Sequence, residues 1–248
     1  MRGFYRTLDS AWGPQNWWPA ESPLEMIVGA FLTQNTAWTN VEKALRNLRS
    51  ANALSLSALR SIALLDLEQL IRPAGYFRQK SARLKLFVQF LDDRYDGSLD
   101  RMFAAPTEKL RAELLALNGV GPETADSILL YAGNHVVFVV DAYTRRIVER
   151  HGILPADSHY EDVREFFEKA LTPLVAAPVP ASKHSVGAKL ERRPTHSPSG
   201  LSTALRSPSA QLFNEMHALI VEVGKHYCRK SEPLCSQCPL GQFLGTPE

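Results

Sequence analysis

Apolar residues recur at helical spacing along most of the chain. Residues 24–32 (LEMIVGAFL) are apolar nearly all round, the pattern of a central buried helix. Val41, Leu45 and Leu48 mark a second helix. Leu84, Phe87, Val88 and Leu91 mark another, with Arg83, Lys85 and Asp92 on its outer face. Leu110, Leu114 and Leu115 predict the next. Ser158 with Glu161 fits a capping box opening a helix through Phe166, Phe167 and Leu171. A last helix is expected from about Gln211 to His226. Only residues 136–140 (VVFVV) read as a strand, and a lone strand cannot close its own ladder. The pattern predicts an all-α protein in which that run is an extended, buried segment.

Composition adds limits. The 248 residues suffice for one large domain or two small lobes with a substantial core. We expect a single two-lobed domain over 1–248. Residues 172–210 break the pattern: they are rich in Pro, Ser, Ala and Thr, with five Lys/Arg and one acid, Glu191. Such a segment buries too little to offset its ordering entropy, which predicts a disordered insert between two helices. The first twenty residues lack a secretory pattern, and no run of eighteen apolar residues exists, so no membrane span and a cytoplasmic location are expected. Net charge is +2, which neither announces nor excludes a nucleic-acid partner.

The candidate chemistry starts at Gly119-Val120-Gly121-Pro122. Glycines flanking one apolar residue allow a tight turn and close approach of another backbone. Pro122 suits a first helical position, and the free N–H groups of a helix start suit a phosphate. An ordinary helix–helix turn reads the same way. Twenty residues after Gly121, the run 136–140 ends in Asp141, followed by the helical stretch from Ala142 to Val148 with Arg145 and Arg146 one turn on. Asp141 is therefore a predicted N-cap, held at the edge of a core.

The stretch from Leu117 to Arg150, with Leu32-Thr33-Gln34-Asn35-Thr36 upstream and the cysteines downstream, resembles the endonuclease III superfamily of DNA glycosylases. The resemblance spans nearly all of the chain outside the insert. It implies a two-lobed helical HhH-GPD fold, with a helix-hairpin-helix at about 107–131 and a C-terminal cysteine loop at 228–244. It implies a monomer acting on double-stranded DNA that contains a damaged base, in a nucleoid-associated setting. It implies that Asp141 is the catalytic carboxylate, stabilising oxocarbenium character and directing water. Gly119, Val120, Gly121, Glu123 and Thr124 become DNA contacts. Asn35 becomes the side chain filling the gap left by a flipped base; an interior helix asparagine is the other reading.

Members that also nick the strand carry a lysine where this chain has Glu123, and Schiff-base chemistry needs an amine. Base release by water without strand cutting is therefore expected. The adenine-mismatch branch carries a glutamate where this chain has Gly29. Asn16-Trp17-Trp18-Pro19, Trp38, the stretch from Arg72 to Lys80 and Glu123 resemble the 3-methyladenine-DNA glycosylase branch (type III). Trp17, Trp18 and Trp38 form either an aromatic clamp for an alkylated base or plain core. Lys225 resembles a pocket-side lysine of that branch; a solvated lysine is the alternative. Two other functions remain open: a bifunctional glycosylase and lyase for oxidised pyrimidines, and a non-catalytic DNA-binding module that keeps only the hairpin.

The cysteines Cys228, Cys235 and Cys238 all lie within eleven residues, which points to a metal or cluster rather than a disulfide framework. The superfamily's [4Fe–4S] loop continues with five more residues to a fourth cysteine, a position held here by Leu244. Three readings stand: a cluster with a non-cysteine fourth ligand, a loop that binds nothing, or zinc with a histidine such as His226.

Overall fold

The computed structural model describes residues 1–15, 17, 20–176 and 206–245, and among them there are helices and turns but no strand. The chain is all-α and divides into two compact units, Met1–Pro19 with Val136–Glu248, and Ala20–His135. The first unit opens with α1 (Arg2–Trp12). The second holds α2 (Pro23–Leu32), α3 (Trp38–Ser50), α4 (Leu56–Ser61), α5 (Leu64–Ile71), α6 (Phe77–Tyr95), α7 (Leu99–Phe103), α8 (Thr107–Leu115) and α9 (Pro122–Ser127). The chain then returns to the first unit for α10 (Ala142–Arg150), α11 (Tyr160–Ala176) and α12 (Pro208–His226).

Serines set many of the starts. The hydroxyls of Ser22, Ser55, Ser98 and Ser207 each accept the backbone N–H three residues on, at the first turns of α2, α4, α7 and α12. Each such cap is worth roughly 1 kcal/mol.

The Ala20–His135 unit is built around α2, buried from Leu24 to Leu32. Val41, Leu45 and Leu48 of α3 and Leu84, Phe87, Val88 and Leu91 of α6 are buried as their spacing predicts. Burying each such side chain contributes about 1.5–3 kcal/mol. Its buried charges are satisfied: Glu25 pairs with Arg49, and Arg111 grips Asp126 through two bonds of 2.7 and 3.1 Å, tying α8 to α9. Lys80 donates to Leu32 O and Ala74 O, both at 2.8 Å, and so takes a carbonyl at the end of α2. After Ser127 the helix widens into a π turn, Ile128–Ala132.

In the other unit, residues 137–140 are extended and almost fully buried. Without a ladder, their N–H groups need other acceptors. Phe138 N donates to Glu168 Oε1 at 2.9 Å and Val140 N to the Tyr160 hydroxyl at 3.2 Å, both on α11. Phe138 stacks on Phe167 with centroids 4.4 Å apart and meets Phe213 edge-on.

Three expectations are corrected here. The acid that reaches back at the start of α11 is Asp162, bonded to His159 N, one residue later than the expected Ser158 and Glu161 pair; Ser158 donates to Pro155 O instead. The expected insert 172–210 is helical at both ends, because α11 runs on to Ala176 and α12 begins at Pro208, capped by Ser207. The remainder of that insert lies outside the described residues. The final helix thus starts earlier than its apolar pattern suggested, since a cap and an N-terminal proline precede the first buried residue.

Candidate active site and nucleic-acid interface

Asp141 ends the buried extended run and caps α10. Its Oδ1 accepts Thr144 N at 2.7 Å and Thr144 Oγ1 at 2.9 Å. Its Oδ2 lies 3.5 Å from His217 Nε2. Burial alone would raise this carboxyl, but attraction and hydrogen bonding to His217, then the two Thr144 bonds, outweigh burial and hold its pKa below the ordinary aspartate value. The side chain is still 14% exposed, so an ionised carboxylate is fixed in place yet reachable.

His217 was not singled out by sequence reasoning. The available signal was a histidine inside the otherwise buried face of α12. Its ring meets Phe138 edge-on at 6.3 Å, so the aromatic cluster under Asp141 also orients its neighbour. The α10–α12 approach depends on Gly224, where an added Cβ would collide with the Tyr143 ring. Arg146 lies over that ring and donates to Cys228 O at 2.6 Å and Gly224 O at 3.3 Å, while Arg145 donates to Ser158 O. The two arginines after Asp141 therefore brace its helix.

His217, Val221 and Lys225 succeed one another at four-residue spacing on α12. The Lys225 ammonium stands 5.1 Å from the Trp17 ring centroid, and Trp17 O accepts Asn214 Nδ2 at 2.6 Å. Gln15 N donates to Glu215, which fastens the same N-terminal segment. Lys225 also pairs with buried Glu222 at 3.3 Å while remaining exposed to solvent. Trp17 and Lys225 are thus brought together on the helix that carries His217. Trp38 belongs to the other unit, at the first position of α3, and Trp18 lies outside the described residues.

In the Ala20–His135 unit, the hairpin between α8 and α9 is locked by Gln34. Its Nε2 donates to Gly119 O and to Thr124 Oγ1, both at 3.0 Å, and its Oε1 accepts Arg83 at 2.5 Å. Gly119 has φ +82°, and a Cβ there would strike Arg83, so both conformation and space require glycine. Val120 is buried and Thr124 is buried, whereas Glu123 is exposed. Gly121 has open space where a Cβ would stand, room the chain itself does not use. Asn35 follows Gln34 in the turn after α2, exposed and with φ +53°, which rules out its reading as an interior helix residue. Tyr76 also lies in the left-handed region, at φ +45°, and leaves 66% of its surface exposed at the head of α6.

The cysteine loop follows α12. Cys228, Cys235 and Cys238 line one cavity, and Leu244 lines it too. His226 is turned to Glu222 at 3.2 Å and does not line that cavity. The histidine that does is His151, at the end of α10.

Residues 28–173 match the family described as HhH-GPD superfamily base excision DNA repair protein. A protein of Methanocaldococcus jannaschii, provisionally named a DNA repair glycosylase, is 41% identical over 243 residues, covering 96% of this chain and 93% of that relative. Endonuclease III of Sulfolobus acidocaldarius is 25% identical over 70% of this chain and 59% of its own length. Among solved structures, the H. pylori 3-methyladenine DNA glycosylase bound to 1,N6-ethenoadenine is similar with a TM-score of 0.70 at 27% identity, over 90% of this chain and 94% of that one.

Proposed function

The chain belongs to the HhH-GPD superfamily of base excision DNA repair proteins and is a DNA glycosylase, and on that premise we propose that it releases alkylated purines by hydrolysis and leaves the strand uncut. The observation that carries this reading is the Asp141 carboxylate, kept ionised, held through both oxygens and still open to solvent. The target nucleotide is first rotated out of the duplex, at a cost of a few kcal/mol that is least for a damaged pair. The glycosidic bond then breaks with its electron pair leaving on the base, and positive charge grows on the sugar. Fixed negative charge beside it lowers that barrier. Asp141 next orients the attacking water and accepts its proton.

Two observations support water, rather than an amine, as the nucleophile. Position 123 at the head of α9 is an exposed glutamate. Lys80 has its pKa lowered to about 8, by burial first and then by Arg83, but its amine is buried and donates to two carbonyls. It is committed to the end of α2.

Trp17 supports an aromatic base. Stacking is worth roughly 1–3 kcal/mol per base. The Lys225 ammonium already stands over that ring, so cation–π attraction on that face is taken by the chain's own charge. Shape and stacking then select the lesion more than its charge does, in keeping with the ethenoadenine carried by the H. pylori relative.

The test is a panel of duplexes carrying alkylated, ethenoadenine or oxidised-pyrimidine lesions, each developed with and without alkali. Breaks visible only after alkali, on the alkylated duplexes, are the expected result. A covalent adduct trapped by borohydride would overturn the hydrolytic reading, and cleavage confined to oxidised pyrimidines would overturn the substrate class.

A further inference from the structure

The loop after α12 does not fit a four-iron cluster as it stands. Its fourth position is the hydrocarbon Leu244, and its cavity measures about 20 Å³. One water takes roughly 10–15 Å³ of such space. Among the described residues no group of three His, Cys, Asp or Glu is placed to hold a metal ion.

The charge that the fold leaves unused lies in the Ala20–His135 unit. Lys80 and Arg83 stand about one turn apart on α6, so their side chains are neighbours. Lys80 is committed to the Leu32 and Ala74 carbonyls, and its pKa is lowered by burial first and by Arg83 second. Among the described residues no ion pair joins either cation to an acid. Like charges held this close repel, and an anion beside them relieves the repulsion.

Arg83 is half-buried and held in place. Its guanidinium lies against the hairpin, in the space a side chain at Gly119 would need, and donates to Gln34 Oε1 at 2.5 Å. Gln34 is itself anchored to Gly119 O and Thr124 Oγ1. That bond engages one edge of the fork. The other N–H groups of Arg83 have no acceptor among the described residues. A neutral donor would satisfy Gln34 equally well. A planar, permanently charged fork is what a phosphate selects. Gly121, two residues along the hairpin, is exposed with open space where a Cβ would stand, so an anion reaches the backbone there without a clash.

We propose that Arg83 is a phosphate-binding residue: its guanidinium, pinned by Gln34 against Gly119, takes one backbone phosphate of the DNA beside the open face of Gly121. The assignment rests on the chain acting on DNA and not on which base it releases. Arg83 comes from outside the hairpin motif, 36 residues before Gly119, and adds to it the side-chain charge that the glycines lack.

The experiment measures binding of the intact chain to an undamaged, fluorescently labelled duplex over a range of salt concentrations. Each neutralised phosphate contributes about 0.9 to the slope of log affinity against log salt. Arg83→Gln should lower the slope by about that amount and weaken binding about tenfold at low salt. Arg83→Lys keeps the charge but not the fork, so it should keep the slope and bind several-fold more weakly. Single neutral methylphosphonates placed along the duplex then locate the contact. At one position the substitution should weaken the parent several-fold and Arg83→Gln much less. A slope unchanged in Arg83→Gln would overturn the proposal, as would methylphosphonate losses that match in parent and variant at every position. If Arg83→Gln melts well below the parent, Arg83→Lys decides: a slope that falls as far in the lysine variant would mean that the residue only supports the hairpin. The duplex carries no lesion, so failure here is distinct from failure of the proposed substrate class.

Discussion

Asp141 and His217 face each other at 3.5 Å across α10 and α12. The carboxylate comes from the end of a buried extended run, and the imidazole from the middle of the last long helix. Thr144 holds the other carboxylate oxygen. The pair sets both the position and the protonation of the group proposed to face the sugar.

Asp141→Asn keeps a side chain that caps helices well, so the fold should survive with a melting temperature near that of the parent. The negative charge is lost. Removing one stabilising group from a developing charge typically costs about 10²–10³ in rate. Single-turnover base release on a lesion duplex is the measurement, and an unchanged rate would show that Asp141 only caps α10.

The pH dependence has a definite sign. The folded pKa of Asp141 lies below its unfolded value, for the reasons given above. Its contribution to stability is therefore present above the unfolded pKa, about 3.9, and is lost as pH falls through the folded value. Base release should likewise hold on the acid side until pH falls below the ordinary aspartate range. His217→Gln removes the largest effect opposing burial, so the acid limb of the pH–rate profile should move to higher pH. A limb that stays put would separate His217 from the carboxylate.

Gly224→Ala places a methyl group against the Tyr143 ring. Overpacking of this kind costs about 1–3 kcal/mol. In a chain of this size each kcal/mol lowers the melting temperature by roughly 2–4 °C. Calorimetry checks it, and no loss of stability would mean that α10 and α12 tolerate a wider approach.

Gln34→Ala unfastens the hairpin, because Gly119 O, Thr124 and Arg83 all lose a partner. Each such bond contributes about 0.5–1.5 kcal/mol, more when charged. Affinity for undamaged duplex should fall several-fold, while the single-turnover rate at saturating protein stays close to the parent. A slower chemical step with unchanged affinity would contradict the assignment of this loop to DNA grip.

Local patterns made much of this molecule readable. The apolar spacing of α2, α3 and α6, the proline at the head of α9 and the cap at Asp141 all depend on bonds and sterics within one or two turns. The start of α11 shows the limit: two adjacent acids, Glu161 and Asp162, follow Ser158, and it is Asp162 that accepts a backbone N–H there, from His159. The same holds for the site. Asp141, Trp17 and Lys225 were named from sequence, but Gln34 spans 85 residues to reach Gly119, and nothing near it in the chain marks that bond. Among the histidines, one of the three readings of the cysteine loop offered His226 as a zinc ligand, whereas packing turned it to Glu222 and left His151 lining the cysteine cavity.

By itself, then, the sequence determined the helices, the glycine hairpin, the carboxylate at its distance and the absence of an amine at position 123. These are written in short-range preferences that any one segment expresses alone. Tertiary structure decided which side chains meet: His217 with Asp141, Lys225 with Trp17, Gln34 with Gly119. Such pairs depend on how helices pack, and packing is settled by the shape and burial of whole faces rather than by any local stretch of chain.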